Sequence, residues 1–384
     1  MKFRKDTWIK KPFSFITDCI ENHDKNPIKN GLTKFVGLEN LDGSSLSITG
    51  AGDIETGTTF TKTFQTGDVL FGKRRPYLKK IAIADFNGIC SADILVFRAR
   101  EKSILPYLLL LYVSSENFIN YAISTSAGSL SPRTKWRDLS NYEIHLPPLE
   151  EQQQIAALFQ SIDTAIEQVE GQEKNLKALR KSLINKLTKQ NPLFGNLITK
   201  SNCKEYLFGD LVVEVPDRTD NPQNSGFEKF IGLEDFESGE LIIQRFSSTE
   251  KLVSAMKLCK KGDVLFARRN VYLKRASITE FDAICSGDVI VMRANEKIIL
   301  PRFLILVMNT DEFWDYAISN AAGTMSKRIK WRDLATYSLE LPDLKIQSKI
   351  LEIFGHLETT LSQLKQQKTT LQHLKQKLLS EILG

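Results

Sequence analysis

Ile155, Ile162, Val169, Leu176 and Leu183 recur at every seventh position, and Ile350, Leu357, Leu364, Leu371 and Leu378 repeat the spacing further on. Phe159, Ile166 and Leu187 fill part of a second seam, with Leu158 and Leu179 beside it; Phe354, Leu361 and Ile382 do the same in the later segment. A sustained heptad predicts a long helix whose seam faces a partner helix, because a lone straight helix drifts about 20° per heptad. The alternative is an amphipathic helix lying on a globular body. Ahead of each heptad segment the pattern is shorter and irregular. Phe35–Leu38, Asp68–Phe71, Ile81–Ile83 and Ile94–Phe97 read as strands separated by Gly, Asp and Asn turns. Pro106 to about Ile123 reads as a helix with proline in its first turn, and Tyr142–Leu146 as a last strand.

Both patterns occur twice, at a constant offset of 195 residues. Lys34-Phe35-Val36-Gly37-Leu38-Glu39 returns as Lys229-Phe230-Ile231-Gly232-Leu233-Glu234, and Gly67-Asp68-Val69-Leu70-Phe71 as Gly262-Asp263-Val264-Leu265-Phe266. Ile89-Cys90-Ser91 returns as Ile284-Cys285-Ser286, and Lys135-Trp136-Arg137-Asp138-Leu139 as Lys330-Trp331-Arg332-Asp333-Leu334. Solenoid units run roughly 20–50 residues, so this period is that of a whole domain. The expected division is 1–147, a strand-rich domain; 148–190, a helix; 191–342, the second domain; and 343–384, the second helix. A segment of about 38 residues makes a helix about 57 Å long. The first helix delivers the chain to the second domain, so the second helix can pack along the first only by running back. The fold class predicted is α+β: two similar strand-rich domains separated by an antiparallel two-helix coiled coil, pseudo-two-fold symmetric.

Composition changes this picture little. At 384 residues, 42% hydrophobic and 26% charged, the chain is long enough for two or three folded domains. The longest apolar stretch, Ile104–Val113, is far short of the ~18 residues of a membrane span. Lys2, Arg4, Lys5, Lys10 and Lys11 have no apolar run behind them, so no signal peptide is expected and the location expected is cytoplasmic. Five cysteines without a Cys-x-x-Cys argue against disulfides and zinc, and Cys90 and Cys285 read as small core residues. His23, His145, His356 and His373 are scattered and unmatched between the copies, and no phosphate-loop motif occurs. Asn191-Pro192-Leu193-Phe194 is superficially similar to the target-base loop of amino-methyltransferases but lacks its second proline. Pro216-Asp217 with Glu228-Lys229 lacks the spacing of a metal-dependent nuclease and has no counterpart in the first copy. No catalytic residue, metal or cofactor is therefore expected in this chain.

The net charge of +6 fits a polyanionic partner, and its arrangement matters more than its sum. One basic strip, Lys73, Arg74, Arg75, Tyr77, Lys79 and Lys80, returns as Arg268, Arg269, Tyr272, Lys274 and Arg275. A second, Arg133, Lys135 and Arg137, returns as Arg328, Lys330 and Arg332. Clustered cations with interleaved aromatics are the footprint of phosphate contact; a solvated surface turn is the plain alternative. Trp136 and Trp331 read as anchors holding the neighbouring arginines. The copies diverge in Asp42–Lys62 against Glu237–Lys257. Phosphate contacts can be shared by both copies, whereas base contacts must differ if the half-sites differ. Paired readers address half-sites about one or more turns apart, a turn being roughly 34–36 Å. The reading is a bipartite, asymmetric DNA site with an unread spacer. An enzyme acting alone on DNA, or a protein-only tether with incidental basic strips, are the competing readings.

Gly67-Asp68-Val69-Leu70-Phe71 runs into Lys73-Arg74-Arg75-Pro76-Tyr77-Leu78 and then Gly88-Ile89-Cys90-Ser91. Leu146-Pro147-Pro148-Leu149-Glu150-Glu151-Gln152-Gln153-Gln154-Ile155 opens the first helix. With the order domain, helix, domain, helix, the chain resembles over its whole length the specificity (S) subunits of Type I restriction-modification systems. The resemblance implies two target recognition domains reading a split DNA sequence. It also implies helices that dock two modification (methyltransferase) subunits, with restriction translocase-nuclease subunits joining outside. The family's modification subunits methylate adenine at N6 with S-adenosylmethionine, and the specificity chain is not catalytic. Gln152, Gln153, Glu167 and Glu170 are the outward residues expected to meet partners. The second copy departs from the pattern: Leu341-Pro342-Asp343-Leu344-Lys345-Ile346-Gln347 lacks the Glu-Gln pair, so identical partner binding at the two helix starts is not implied.

Overall fold

The computed structural model describes residues 3–187 and 197–384. The chain forms two compact units, Met1–Val169 with Gln366–Gly384, and Glu170–Lys365. Asn191-Pro192-Leu193-Phe194, the boundary expected at 190–191, and Lys2 lie outside the described residues.

In the first unit the apolar runs Val69-Leu70-Phe71 and Ile94-Leu95-Val96-Phe97 become neighbouring antiparallel strands, with Thr17–Ile20 and Ile81–Ile83 on their outer sides. These runs are continuous rather than alternating because both faces of the sheet are covered. Val69, Phe71, Leu95 and Phe97 face a core shared with the helices Pro106–Ser114 and Glu116–Ser124. Leu70, Ile94 and Val96 face a second core under a smaller sheet of Gly52–Asp53, Lys34–Val36, Gly88–Cys90 and Lys62–Phe64. Cys90 is fully buried there. Ile9–Pro12 pairs with Glu143–Leu146 and closes the domain. The single helix expected from Pro106 is two helices, because Ser115 takes an extended conformation and its hydroxyl accepts from the Phe118 amide at 3.3 Å.

The second unit repeats this plan. Val264–Ala267 pairs with Val289–Ala294, flanked by Val212–Glu214 and Ala276–Ile278. Its smaller sheet holds Lys229–Ile231, Ser247–Ser248, Met256–Cys259, Ala283–Cys285 and the edge strand Arg218–Thr219. Thr310 takes the place of Ser115 as the cap between Pro301–Met308 and Asp311–Ser319. The repeat reaches further back than its motifs: Phe13 and Phe208, both fully buried, open matching short helices.

The heptad segments are helices, Leu149–Ile184 and Leu344–Leu383. In the first unit Lys375 pairs with Asp163 at 2.5 Å, and Phe159 and Ile155 share a core with Leu379 and Leu383, so the segments run antiparallel. In the second unit Arg180 pairs with Glu358 at 2.9 Å, and Ile184 and Leu187 share a core with Phe354 and Ile350. Of the heptad positions, Ile155, Ile162, Val169, Leu183, Ile350 and Leu364 are buried, while Leu176, Leu357, Leu371 and Leu378 are half-buried. The seam is not purely interhelical. Ile155 and Ile350 belong to the cores of the strand-rich domains, because an apolar stripe buries equally well against a sheet-and-helix body as against another helix.

One expectation is overturned here. Gln152 does not face outward but is fully buried, donating to the carbonyls of Ser103 (2.9 Å) and Pro147 (3.0 Å) and accepting from the Leu105 amide (3.2 Å). Gln347 repeats all three bonds with Ile298, Pro342 and Leu300. Three orphan backbone groups near a helix start need a partner of this length, and the amide supplies it. Gln153, Glu167 and Glu170 are exposed. Among the described residues no helix is long and apolar enough to cross a membrane.

Candidate nucleic-acid interface

The two basic strips of each copy, some sixty residues apart in sequence, lie side by side in the fold. Arg74 and Arg133 are bridged as in an antiparallel ladder, the Arg75 amide donates to the Pro132 carbonyl at 2.7 Å, and the Thr134 amide to Lys73 at 3.0 Å. In the second copy Arg269 and Arg328 are bridged, and the Asn270 amide donates to Lys327 at 2.8 Å. Each copy thus carries one two-loop basic platform.

The first loop of the platform holds an unusual backbone. Pro76–Leu78 is a single tight turn between Arg75 (φ +51°) and Lys79 (φ +49°), and Val271–Leu273 sits between Asn270 (φ +52°) and Lys274 (φ +50°). These are four of the five non-glycine residues with positive φ among the described residues. Left-handed backbone costs an ordinary side chain roughly 1–3 kcal/mol and persists where the surroundings over-determine it, a recurrent mark of functional loops. The turn presents Tyr77 and Leu78, and Tyr272 and Leu273, to solvent.

The second loop is a hairpin pinned at its base by reciprocal bonds between Ala127 and Arg133 (3.0 and 2.9 Å), matched by Ala322 and Arg328 (both 2.9 Å). Gly128 (φ +115°) and Gly323 (φ +119°) make its first bend, a conformation only glycine adopts freely. Leu130 and Met325 stand at the tips, 91% and 99% exposed.

The cations divide into two groups. Arg74 and Arg75 are exposed, with contacts to Ser131 Oγ (2.6 Å) and the Leu130 carbonyl (3.4 Å) that order the loop without neutralising charge. Arg269 is likewise exposed and donates to Ser326 Oγ at 3.1 Å. Lys135 and Lys330 are exposed, and Arg137 and Arg332 are strongly so, each beside the following aspartate. Lys73 and Arg268 are half-buried. By contrast, Lys79 is paired with Glu116 and Lys274 with Asp311. Lys80 donates to the Leu41 carbonyl and Arg275 to Leu233, each at 2.9 Å, and burial pushes the Arg275 guanidinium below its ordinary pKa. These four side chains hold the platform to the body of their own domain. Trp136 packs on Phe13 and Phe97, and Trp331 on Phe208.

The sequence reading missed the carboxylates behind the platforms. Arg133 meets Asp93 at 3.1 Å, whereas Asp288 faces Arg328 (3.2 Å), Arg268 (3.7 Å) and Arg269 (3.7 Å). Burial disfavours the Asp288 charge, but the hydrogen bond from Arg328 and attraction to the three guanidiniums outweigh it and hold the carboxyl below its usual range. The matching Ser-x-Asp after each Ile-Cys was the signal available. The divergent stretches, Asp42–Lys62 and Glu237–Lys257, carry the edge strands Gly52–Asp53 and Ser247–Ser248 of the smaller sheets. Among the described residues no group of three or more His, Cys, Asp or Glu side chains could hold a metal ion.

Two versions of one α+β domain, each with a basic platform and each joined to a long helix, define a duplicated two-domain protein. Residues 10–178 and 215–373 match the family model described as the Type I restriction modification DNA specificity domain, and the chain belongs to that family. It is 32% identical over 138 residues to the Type I restriction enzyme EcoDI specificity subunit of Escherichia coli, covering 35% of this chain and 30% of that one. It is 27% identical over 190 residues to the HindI specificity subunit of Haemophilus influenzae, covering 46% and 40%. The chain thus spans under half the length of these two relatives. The putative MjaX specificity subunit of Methanocaldococcus jannaschii is 22% identical across 98% of this chain and 93% of that one. Among solved structures, a chain from work on complex assembly and conformational transition of the type I R-M system shares the fold, with TM-score 0.61 and 19% identity over 97% of each. The Type-I system S subunit from M. genitalium does so with TM-score 0.56 and 14% identity over 100% of this chain and 98% of that one.

Proposed function

We propose that this chain is the DNA-reading subunit of a Type I restriction-modification complex, addressing an asymmetric bipartite site with one half-site per domain. The observation that carries this reading is the basic platform, built from the same pair of loops in both copies. Arg74, Arg75, Arg133, Lys135 and Arg137, with Arg269, Arg328, Lys330 and Arg332, grip phosphates, and the smaller sheets with their divergent edges read bases. The helices set the unread spacer and present outward residues such as Gln153 and Glu167 to adenine-N6 methyltransferase subunits, with restriction subunits joining outside. The chain itself is non-catalytic and carries no cofactor; S-adenosylmethionine belongs to the partner methyltransferase. The setting is cytoplasmic, where the host DNA lies.

The test uses the purified full chain, with and without methyltransferase subunits from its own system. The chain alone binds duplex with an affinity that falls steeply as salt rises, and it leaves the DNA unmodified and uncut in S-adenosylmethionine and magnesium. Together the proteins produce N6-methyladenine at a split sequence. Methylation or cleavage by the chain alone makes it an enzyme and ends the reading. Absence of salt-sensitive duplex binding makes the platforms incidental.

A further inference from the structure

We propose that the two platform hairpins end in apolar wedges, Leu130 in the first domain and Met325 in the second, that enter the DNA base stack. The proposal rests on the DNA-reading function above and names what the second loop of each platform does to the duplex.

A single exposed leucine on a protein surface needs no explanation. Here the same hairpin position is apolar in both copies, and both side chains are more than nine-tenths exposed. No covering contact comes from the domain that carries them. The hairpins that carry them are also tied down. Reciprocal backbone bonds close each hairpin base, the Arg75 amide holds Pro132, and Arg74 Nε holds Ser131 at 2.6 Å. In the second copy Ser326, next to the tip, donates to the Asn270 side chain at 3.0 Å and accepts from Arg269 at 3.1 Å. Different residues thus achieve the same posture.

The surroundings decide what the tip meets. Arg74, Arg75 and Arg133 fringe Leu130, and Arg269, Lys327 and Arg328 fringe Met325. An apolar tip beside clustered cations suits a ligand with anionic rails and an apolar interior, which describes duplex DNA. Leucine and methionine are both among the side chains that wedge between base steps, partly unstacking them and kinking the helix. The cations supply the phosphate attraction that offsets the unstacking. Each half-site would then be read partly through how readily one step opens, without a base-specific hydrogen bond.

The experiment uses the full chain and a duplex selected by it from a random pool, with 2-aminopurine placed at each position in turn. Binding of the unaltered chain raises fluorescence in two zones, one per half-site. Leu130→Ala abolishes one zone and Met325→Ala the other, each lowering affinity several-fold while leaving the salt slope unchanged, since no charge is altered. Binding with no rise, a rise that survives both substitutions, or loss of both zones from either one overturns the proposal. So does a variant that binds duplex normally but no longer retains the methyltransferase subunit, because the tips are then protein contacts. If the unaltered chain selects no duplex at all, the DNA-reading function itself fails, and the two failures are distinct.

Discussion

The two platforms share a backbone and differ in how their charge is balanced. In the first, Asp93 meets Arg133 while Arg74 and Arg75 contact a hydroxyl and a carbonyl. In the second, Asp288 sits among three arginines, and Asn270 stands where the first copy has Arg75. Both residues adopt the left-handed conformation, so the turn is kept while a cation is not. Asparagine tolerates that conformation better than arginine does. The first platform thus accepts more backbone strain for more free charge. The two copies thus keep one geometry and differ in their electrostatics.

The largest effect should come from removing the free charge. Arg74→Ala with Arg75→Ala deletes two cations and should weaken binding to every duplex on the order of tenfold at low salt, flattening the slope of log K against log salt by about 1.8. The matching change, Arg269→Ala with Asn270→Ala, deletes one cation and should flatten it by about 0.9. Binding titrations across a salt series measure both. Equal flattening would erase the distinction between the platforms, and a shift of sequence preference without flattening would remove the phosphate role.

Where the copies agree, substitutions should hurt them alike. Gln152→Ala and Gln347→Ala each leave three backbone groups, one buried and two partly buried, without their partner, and each should cost about 2 kcal/mol in stability. Thermal unfolding of the two variants should shift by similar amounts, with no change in salt slope. A large loss from one and none from the other would show that the two helix starts are built differently after all.

Much of this was legible in the sequence because it is periodic or repeated. The 195-residue offset fixes the duplication, the heptads give the long helices, and unbroken apolar runs such as Ile94–Phe97 are what a sheet covered on both faces requires. What was not legible depends on direction. A lysine in a basic strip can point to solvent or to its own domain, and Lys79 and Lys80 do the latter, tied to Glu116 and Leu41. Gln152 is polar yet buried, because what matters there is three nearby backbone groups that sequence order does not reveal. The meeting of Arg74 with Arg133 is a tertiary event, and local pattern carries no trace of it. A seven-residue stripe is satisfied by any apolar surface, so the pattern left open whether Ile155 faces a helix or a domain core.

The subtlest effect should come from the carboxylates. Asp288→Asn releases three arginines from one anion, whereas Asp93→Asn releases one. The first should tighten duplex binding several-fold at low salt and steepen its salt dependence; the second should do less. Acid cannot substitute for the mutation at working pH. The native carboxyl of Asp288 lies below the usual aspartate range, so its contribution is complete above that range and fades only as pH falls through the lower, native value. Between pH 5 and 8 the Asp288 charge is therefore constant, and binding should show no step from this group. Tighter binding in Asp288→Asn with a flat pH profile would confirm that the second platform is muted by its own carboxylate. Weaker binding would mean that Asp288 aims the arginines at phosphate, and that the two platforms differ in posture and not in charge.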